Sequence, residues 1–266
     1  MHARSSSATE TLARVALALA LLASACGRPP AGDEVAIFAA ASLRDFVTEV
    51  AGEWERESGV RATLNFAGSD ALARQIEAAG VADVFLAADA RWASTLEERG
   101  RIVPGSAREV LSNRLVVIAR EDAPATIERV EDLARAEYAW LVLADPDAVP
   151  AGRYARAWLE SIPAGEGSLW ESVRERVAPA LDVRAALALV EAEPRAVGIV
   201  YRTDAASSAK VQVLAESAEG EPRIAYVGAL VRGGANPDAG AAFLAHLAGP
   251  AAREVAQRHG FAAVPR

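Results

Sequence analysis

Small hydrogen-bond donors follow several apolar runs of the sequence, at points where helices are expected to begin. Ser42 comes shortly after an apolar run that ends at Ala39, and Ser69 comes after one that ends at Phe66. The first backbone N–H groups of a helix have no intrahelical acceptor, and the helix dipole places partial positive charge there, so such termini bind oxyanions without a lysine or arginine. Any one junction alone fits ordinary helix capping, in which Ser and Asp are preferred, but their conjunction indicates capture of a small anion.

Two later strand-to-helix junctions are also suited to anion binding, and one of them carries a pair of carboxylates. Residues 145–152 read Asp-Pro-Asp-Ala-Val-Pro-Ala-Gly and lead from a predicted strand into a helix, while Asp182 and Val183 open another helix. The pair Asp145 and Asp147 could bind a metal or perform acid–base chemistry, so an exported hydrolase or metal-using enzyme stays an alternative. A turn that follows a strand uses Asp for local hydrogen bonding as well.

The sequence lacks the usual catalytic motifs. It contains no His-Glu-x-x-His, no Gly-x-Ser-x-Gly and no phosphate-binding Gly-x-x-x-x-Gly-Lys-Ser/Thr. Beyond the N-terminal region the histidines are His246 and His259, which fall in the last two predicted helices. We therefore nominate no catalytic residue and no direct metal ligand, and we expect that the protein is not an enzyme.

The elements that must position these residues alternate between strands and helices. Short β-branched or apolar runs are separated by amphipathic patterns of helical period, which is typical of an α/β fold with largely parallel sheets. The predicted strands are Val35–Ala39, Ala62–Phe66, Val84–Ala87, Leu115–Ala119, Leu141–Leu143, Gly198–Tyr201 and Ile224–Leu230. The predicted helices are Leu43–Glu57, Ala71–Ala79, Ala90–Arg99, Arg153–Leu159, Val183–Glu191, Pro237–Leu247 and Pro250–His259. In open α/β sheets, ligands bind at the carboxyl ends of the strands, where the junctions described above lie.

Composition narrows the class of protein. The chain has 266 residues, of which 52% are hydrophobic and 24% charged, so it can bury a core and differs from a disordered chain. Its formal net charge of −8 argues against nucleic-acid binding, which requires basic patches that neutralise phosphates. The single cysteine excludes an internal disulfide and a zinc site built from cysteines.

The N-terminal region predicts export. Two arginines precede a short apolar run that ends in small residues, so residues 1–25 are predicted to be a secretory signal peptide rather than a transmembrane helix. Residues 22–26 resemble a bacterial lipobox, in which Cys26 would be lipidated, although an ordinary signal peptidase site would leave Cys26 free. Residues 26–34 form the predicted tether. We therefore predict an exported protein in the periplasm or on the outer face of a bacterial membrane, anchored by lipid.

Seven short motifs along nearly all of the remaining chain resemble one protein family. In order, they are Ala39-Ala40-Ala41-Ser42-Leu43, Phe66-Ala67-Gly68-Ser69, Leu72-Ala73-Arg74-Gln75-Ile76-Glu77, Ala82-Asp83-Val84-Phe85, Val149-Pro150-Ala151-Gly152-Arg153-Tyr154, Asp182-Val183-Arg184-Ala185-Ala186-Leu187 and Gly198-Ile199-Val200-Tyr201. In this order and spacing they resemble periplasmic molybdate-binding proteins, the substrate-binding components of molybdate ABC transporters. Each motif alone is weak, but seven in order between Val35 and about Phe261 are specific.

The resemblance implies a two-lobed periplasmic-binding-protein fold of type II, in which mixed, mostly parallel sheets are flanked by helices and joined by a hinge. It further implies that a tetrahedral oxyanion, molybdate or tungstate, is held between the lobes by hydrogen bonds alone, without a cofactor. Members of the family often carry a second serine or threonine beside the position of Ser69, where this chain has Gly68 and Asp70. Carried over residue by residue, the ligand-binding positions are Ser42, Ser69, Ala151, Val183 and Tyr201.

The resemblance also implies partners and a division into lobes. A membrane ABC permease would receive the anion from the binding protein, which we expect to be a monomer. We predict that residues 35–112 and 227–266 form lobe 1 and that residues 113–226 form lobe 2, with crossings at 113–114 and 225–226. Another tetrahedral oxyanion, sulfate foremost, stays an alternative ligand because it too only accepts hydrogen bonds.

Overall fold

The computed structural model describes residues 34–123, 127–218 and 220–262, which form two five-stranded sheets with helices packed against them. The predicted signal peptide, Cys26 and the tether as far as residue 33 lie outside the described residues. Glu34, the last residue of the predicted tether, is the first residue of a strand. Among the helices that are described, none has the length and apolar character needed to cross a bilayer.

Each sheet is built from five strands that are not consecutive in the chain. The first sheet contains β1 (Glu34–Ala40), β2 (Arg61–Ala67), β3 (Val84–Ala87), β4 (Arg108–Asn113) and β12 (Ile224–Leu230). The second contains β5 (Leu115–Arg120), β6 (Trp140–Ala144), β9 (Val177–Ala180), β10 (Ala196–Tyr201) and β11 (Val211–Glu216), and a small hairpin pairs β7 (Pro163–Ala164) with β8 (Gly167–Ser168). The strand orders are β2–β1–β3–β12–β4 and β11–β5–β10–β6–β9.

Helices connect these strands and cover the sheets. They are α1 (Arg44–Ser58), α2 (Ser69–Ala79), α3 (Ala90–Glu98), α4 (Pro150–Ser161), α5 (Leu169–Val173), α6 (Val183–Ala192), α7 (Arg202–Ala206), α8 (Pro237–Leu247) and α9 (Pro250–Arg258). Short 3₁₀ turns lie at Ala41–Leu43, Val130–Ala134 and Arg174–Arg176. We use "first lobe" for the first sheet with α1–α3, α8 and α9, and "second lobe" for the second sheet with α4–α7.

Strand β1 is buried on both faces of the first sheet. Successive side chains of a strand point to opposite faces, so Ile37 joins the core formed with Phe46 of α1 and Phe243 of α8. The neighbouring Phe38 joins a separate core on the other face, which includes Ile76 of α2. Packing on both faces fixes the position of β1, and its carboxyl end leads directly into the 3₁₀ turn that contains Ser42.

The sheets are mixed, with a smaller parallel share than the sequence predicts. Within the described residues, each five-stranded sheet contains two parallel and two antiparallel pairs. Strand β12 enters the first sheet at the carboxyl end of β3, where Val227 is opposite Ala87. Strand β5 enters the second sheet at the carboxyl end of β10, where Leu115 is opposite Tyr201. A strand that begins at the carboxyl end of the parallel strands has to run antiparallel to them.

The chain passes between the sheets twice in the described residues. The first passage lies between β4 and β5, at Arg114. The return lies between β11 and β12, upstream of the predicted crossing at residues 225–226, because both residues already pair with β4 in the first sheet. Each passage therefore runs along the edge at which the two lobes face each other.

Apart from the small hairpin of β7 and β8, three of the described strands were not predicted, and all three lie at the edges of the five-stranded sheets. Strands β4, β9 and β11 are each hydrogen-bonded to a single neighbouring strand. An edge strand buries less of its surface and tolerates proline and charge, so its apolar pattern is weak. Pro179 within β9 and the charged start of β4 at Arg108 show this effect.

Candidate functional site

A small cavity lies where the carboxyl ends of the two sheets face each other. Its empty space measures about 210 Å³, including the part that is open to solvent. No lysine or arginine lines it. All five residues predicted to bind ligand are among the residues that line it, which are Ala40, Ala41, Ser42, Gly68, Ser69, Ala88, Val149, Pro150, Ala151, Asp182, Val183 and Tyr201.

Backbone N–H groups from both lobes are available at this cavity. Ser69 is the first residue of α2, Ala151 is the second residue of α4, and Val183 is the first residue of α6. Their N–H groups have no acceptor among the described residues, as expected in the first turn of a helix. Three helix N-termini therefore bring unpaired donors and partial positive charge to one point.

Two serine hydroxyls line the same cavity from the first lobe. Ser42 lies in the 3₁₀ turn between β1 and α1, and Ser69 follows the N-cap residue Gly68 of α2. Both side chains are buried. The Oγ atom of Ser69 accepts a hydrogen bond of 3.0 Å from the N–H of Ala88 at the end of β3. This bond fixes the rotamer of Ser69 without using its proton, which stays available to a ligand.

Tyr201 contributes a phenol from the second lobe. It is the last residue of β10 and is 1% exposed, and its hydroxyl oxygen is buried with no hydrogen-bond partner among the described residues. Leaving a buried hydroxyl unpaired costs roughly 1–3 kcal/mol, so its orientation toward the cavity indicates a missing acceptor. Burial raises the pKa of Tyr201 well above its usual value, which keeps the phenol protonated as a donor.

The charged groups around the cavity are engaged by helix capping or by ion pairs. Asp182 lines the cavity, but its Oδ1 atom accepts hydrogen bonds from the N–H groups of Arg184 and Ala185, 2.9 Å each, and so caps α6. The guanidinium of Arg184 does not line the cavity. Its Nε atom lies 2.7 Å from Oδ1 of the buried Asp204, an ion pair without the alignment of a hydrogen bond. The cavity is thus lined by neutral donors and by the capping residue Asp182, and by no full positive charge.

Two ion pairs connect the lobes on either side of the cavity. Nη2 of Arg184 in α6 lies 2.5 Å from Oδ2 of Asp45 in α1. Arg153 in α4 forms an ion pair with Asp89, which also caps α3 through the N–H of Arg91. The structure therefore shows the lobes closed over the cavity.

Gly68 and its neighbour Asp70 lie where the lobes approach closely. A Cβ atom at position 68 would lie 3.4 Å from the carbonyl oxygen of Leu181 in the opposite lobe and 2.6 Å from Oδ1 of Asp70. Asp70 is buried, and its Oδ2 atom accepts a 2.6 Å hydrogen bond from Arg74. The carboxylate that stands beside Ser69 is thus partnered by an arginine and does not line the cavity.

The carboxylate pair of the enzyme alternative forms a local turn. Oδ1 of Asp145 accepts hydrogen bonds from the N–H groups of Asp147, at 2.8 Å, and Ala148, at 3.2 Å. Asp147 forms an exposed ion pair with Arg156. Over the described ranges, no group of three or more His, Cys, Asp or Glu side chains could hold a metal ion. These contacts support the interpretation of this pair as a turn that follows a strand.

Two residues behind the cavity were not identified from the sequence. The phenol of Tyr226 in β12 contacts Ser42, and Asn113 at the end of β4 contacts that phenol. Tyr226 lies in an apolar strand and Asn113 lies at a passage between lobes, so the sequence around each residue does not indicate a position behind the cavity. Only the pairing of β12 with β4 brings both behind Ser42.

Comparisons with known proteins show which family and which proteins this chain is similar to. Residues 35–262 match the family described as bacterial extracellular solute-binding protein. The molybdate-binding protein ModA of Escherichia coli K12 is 36% identical over 237 residues, which are 86% of this chain and 88% of that protein. The molybdate-binding protein ModA of Haemophilus influenzae is 35% identical over 241 residues, 88% of this chain and 91% of that protein.

The fold agrees with that of a solved relative. The structure of the periplasmic molybdate-binding protein of Azotobacter vinelandii superposes with a TM-score of 0.76 at 18% identity, covering 87% of this chain and 100% of that one. Residues 35–262, which match the family model, include every residue that lines the cavity. The chain belongs to the family of bacterial extracellular solute-binding proteins.

Proposed function

We propose that this protein captures molybdate, and tungstate in the same way, between its two lobes and delivers it to a membrane ABC permease. The observation that carries the proposal is a cavity between the lobes at which both lobes present unpaired neutral donors and which no lysine or arginine lines. Ser42 and Ser69 would bind through their hydroxyls, Ser69, Ala151 and Val183 through backbone N–H groups, and Tyr201 through its phenol. The ligand would be held by hydrogen bonds alone, without a cofactor, a direct metal ligand or a covalent step.

The chemistry of the donors favours a fully deprotonated dianion. All four oxygens of molybdate accept hydrogen bonds at neutral pH, so each can be matched by a donor of the cavity. Hydrogenphosphate carries a proton that needs an acceptor, and a buried unpaired O–H costs roughly 1–3 kcal/mol. We therefore expect strong discrimination against phosphate. Sulfate also only accepts, so it differs from molybdate only in size and is the competitor that the test must include.

Closure around the anion would be hinge-like. The lobes are joined by the two passages of the chain, and ligand contacts from both lobes shift the population toward the closed state. The protein would act outside the cytoplasm after removal of residues 1–25, as a monomer. Attachment to the membrane by a lipid on Cys26 is proposed from the lipobox resemblance, and mass spectrometry of the mature N-terminus tests it against a free Cys26.

Thermal melts with a panel of oxyanions test the ligand. A ligand at a hundred times its dissociation constant stabilises the folded state by about 2.7 kcal/mol, which raises Tm by roughly 5–11 °C for a chain of this size. We expect this rise with molybdate and tungstate and none with phosphate. A rise with sulfate or a divalent metal but none with molybdate would contradict the proposal.

Removal of both serine hydroxyls tests the site. Hydrogen bonds to charged groups contribute about 1.5–3 kcal/mol each, so Ser42→Ala with Ser69→Ala is expected to weaken molybdate binding at least about a hundredfold in calorimetry. The matched control is Ser58→Ala with Ser106→Ala, two first-lobe serines that donate to backbone carbonyls away from the cavity. An affinity of the double site variant within twofold of the wild type would show that the cavity is not the site.

A further inference from the structure

The hydroxyl of Ser42 has a hydrogen-bond partner behind the cavity. Its Oγ atom lies 3.2 Å from the phenol oxygen of Tyr226, and both residues are buried. A serine hydroxyl has one proton and two acceptor positions, and a phenol can both donate and accept. Whether Ser42 can donate to a bound anion therefore depends on which of the two hydroxyls donates to the other.

Asn113 determines the direction of this hydrogen bond. Its Nδ2 atom lies 3.2 Å from the phenol oxygen of Tyr226 and 2.9 Å from Oγ1 of Thr203. The orientation of the amide is fixed because Oδ1 of Asn113 accepts a 2.9 Å hydrogen bond from the N–H of Arg114. An amide nitrogen only donates, so Tyr226 accepts from Asn113 and its own proton is directed to Ser42.

We infer that Tyr226 is a positioning residue that makes Ser42 a donor to the bound anion, an inference that rests on the proposed function. The hydrogen bonds run in one direction, from Asn113 to Tyr226, from Tyr226 to Ser42, and from Ser42 into the cavity. Ser69 is in a similar state, because one of its two acceptor positions takes the N–H of Ala88 and its proton stays available to the anion. Both hydroxyls of the first lobe are thus set to donate, which is the property that excludes a protonated oxyanion.

The position of this chain of hydrogen bonds links it to closure. Asn113 is the last residue of β4 in the first sheet, and Thr203 lies in α7 of the second lobe. The bond between their side chains therefore joins the two lobes beside the passage at Arg114. The closed arrangement of the lobes and the donor state of Ser42 stabilise each other.

The variant Tyr226→Phe tests the inference with little change in packing. The ring packs 5.8 Å from that of Tyr201 and 5.6 Å from that of Phe261, between centroids, and phenylalanine keeps both contacts. Loss of the directing phenol lets the Ser42 hydroxyl turn away from the anion and lets its oxygen accept. We expect molybdate to bind about tenfold more weakly and the preference for molybdate over hydrogenphosphate at pH 7 to fall by at least that factor.

A double-mutant cycle separates positioning from a structural role. In a Ser42→Ala background the phenol has no hydroxyl to direct, so Tyr226→Phe should change molybdate affinity less than twofold. The control Tyr138→Phe removes another buried phenol, which donates 2.9 Å to the carbonyl of Leu133 in the second lobe, and should leave affinity and selectivity unchanged.

Each outcome of this experiment decides a separate claim. A wild-type protein that does not bind molybdate overturns the proposed function. A wild type that binds molybdate, together with a folded Tyr226→Phe variant of unchanged affinity and selectivity, overturns the role of Tyr226 alone. An equal loss in the presence and absence of the Ser42 hydroxyl would assign Tyr226 a structural role and also overturn the inference.

Discussion

The approach of helix α4 to the cavity depends on a residue without a side chain. Gly152 lies in the first turn of α4, directly against the carboxyl end of β6. A Cβ atom at this position would overlap the carbonyl oxygens of Ala144 and Asp145 and would lie 2.6 Å from the carbonyl carbon of Asp145. Because ordinary carbon contacts begin near 3.5 Å, Gly152→Ala forces the start of α4 to withdraw by about 1 Å.

This displacement is large for a hydrogen bond. If the N–H of Ala151 binds the anion at about 2.9 Å, a withdrawal of about 1 Å lengthens the contact beyond the range of a hydrogen bond. Loss of one hydrogen bond to a charged group costs about 1.5–3 kcal/mol, which corresponds to roughly 10- to 150-fold weaker molybdate binding. Overpacking of this kind also destabilises the folded state by about 1–3 kcal/mol.

Calorimetry with molybdate and thermal melts of the free protein measure the two effects. The matched control is Gly52→Ala, because a Cβ atom at that position within α1 has no neighbour within 4 Å. Alanine there should stabilise the helix by about 0.5–1 kcal/mol and leave affinity unchanged. A Gly152→Ala protein with a lowered Tm but wild-type affinity would refute the reasoning, since the helix start would then have moved without affecting the ligand.

Two further predictions concern charges around the cavity. Asp45→Asn removes the ion pair with Arg184 across the cleft, which should weaken molybdate binding up to about fivefold at low salt and less at high salt, whereas Glu160→Gln, which removes an ion pair within α4, should not change it. Burial raises the pKa of Asp204 to about 7 despite the opposing effect of Arg184. Because the folded state favours the protonated carboxyl of Asp204, the contribution of this group to stability is fully present below about pH 4 and is lost as pH rises through about 7. In urea unfolding, the free energy of unfolding of the wild type should therefore fall by up to about 4 kcal/mol relative to that of Asp204→Asn between about pH 4 and about pH 7. A difference between the two proteins that stays constant over this pH interval would contradict the prediction.

The central strands and the cavity residues were accessible from the sequence because their signals are local. Strand β1 is apolar throughout its buried length, and Ser42 follows it within two residues. Ser69 likewise follows β2 within two residues, and Val183 directly follows Asp182, the N-cap residue of α6. Edge strands such as β4 and β9 escaped detection because one neighbour is enough to hold them, and their sequences keep polar residues and proline.

The sequence by itself determined which donors this protein has, since the first N–H groups of a helix have no intrahelical acceptor and a serine there adds a hydroxyl. It also determined the alternation of strands and helices, which follows from the period of apolar residues. Only the tertiary structure decided which of those donors remain unpaired. The pairing of β12 with β4 places Tyr226 and Asn113 behind Ser42, and close packing on β6 requires Gly152. These contacts join residues far apart in sequence, so no local pattern contains them.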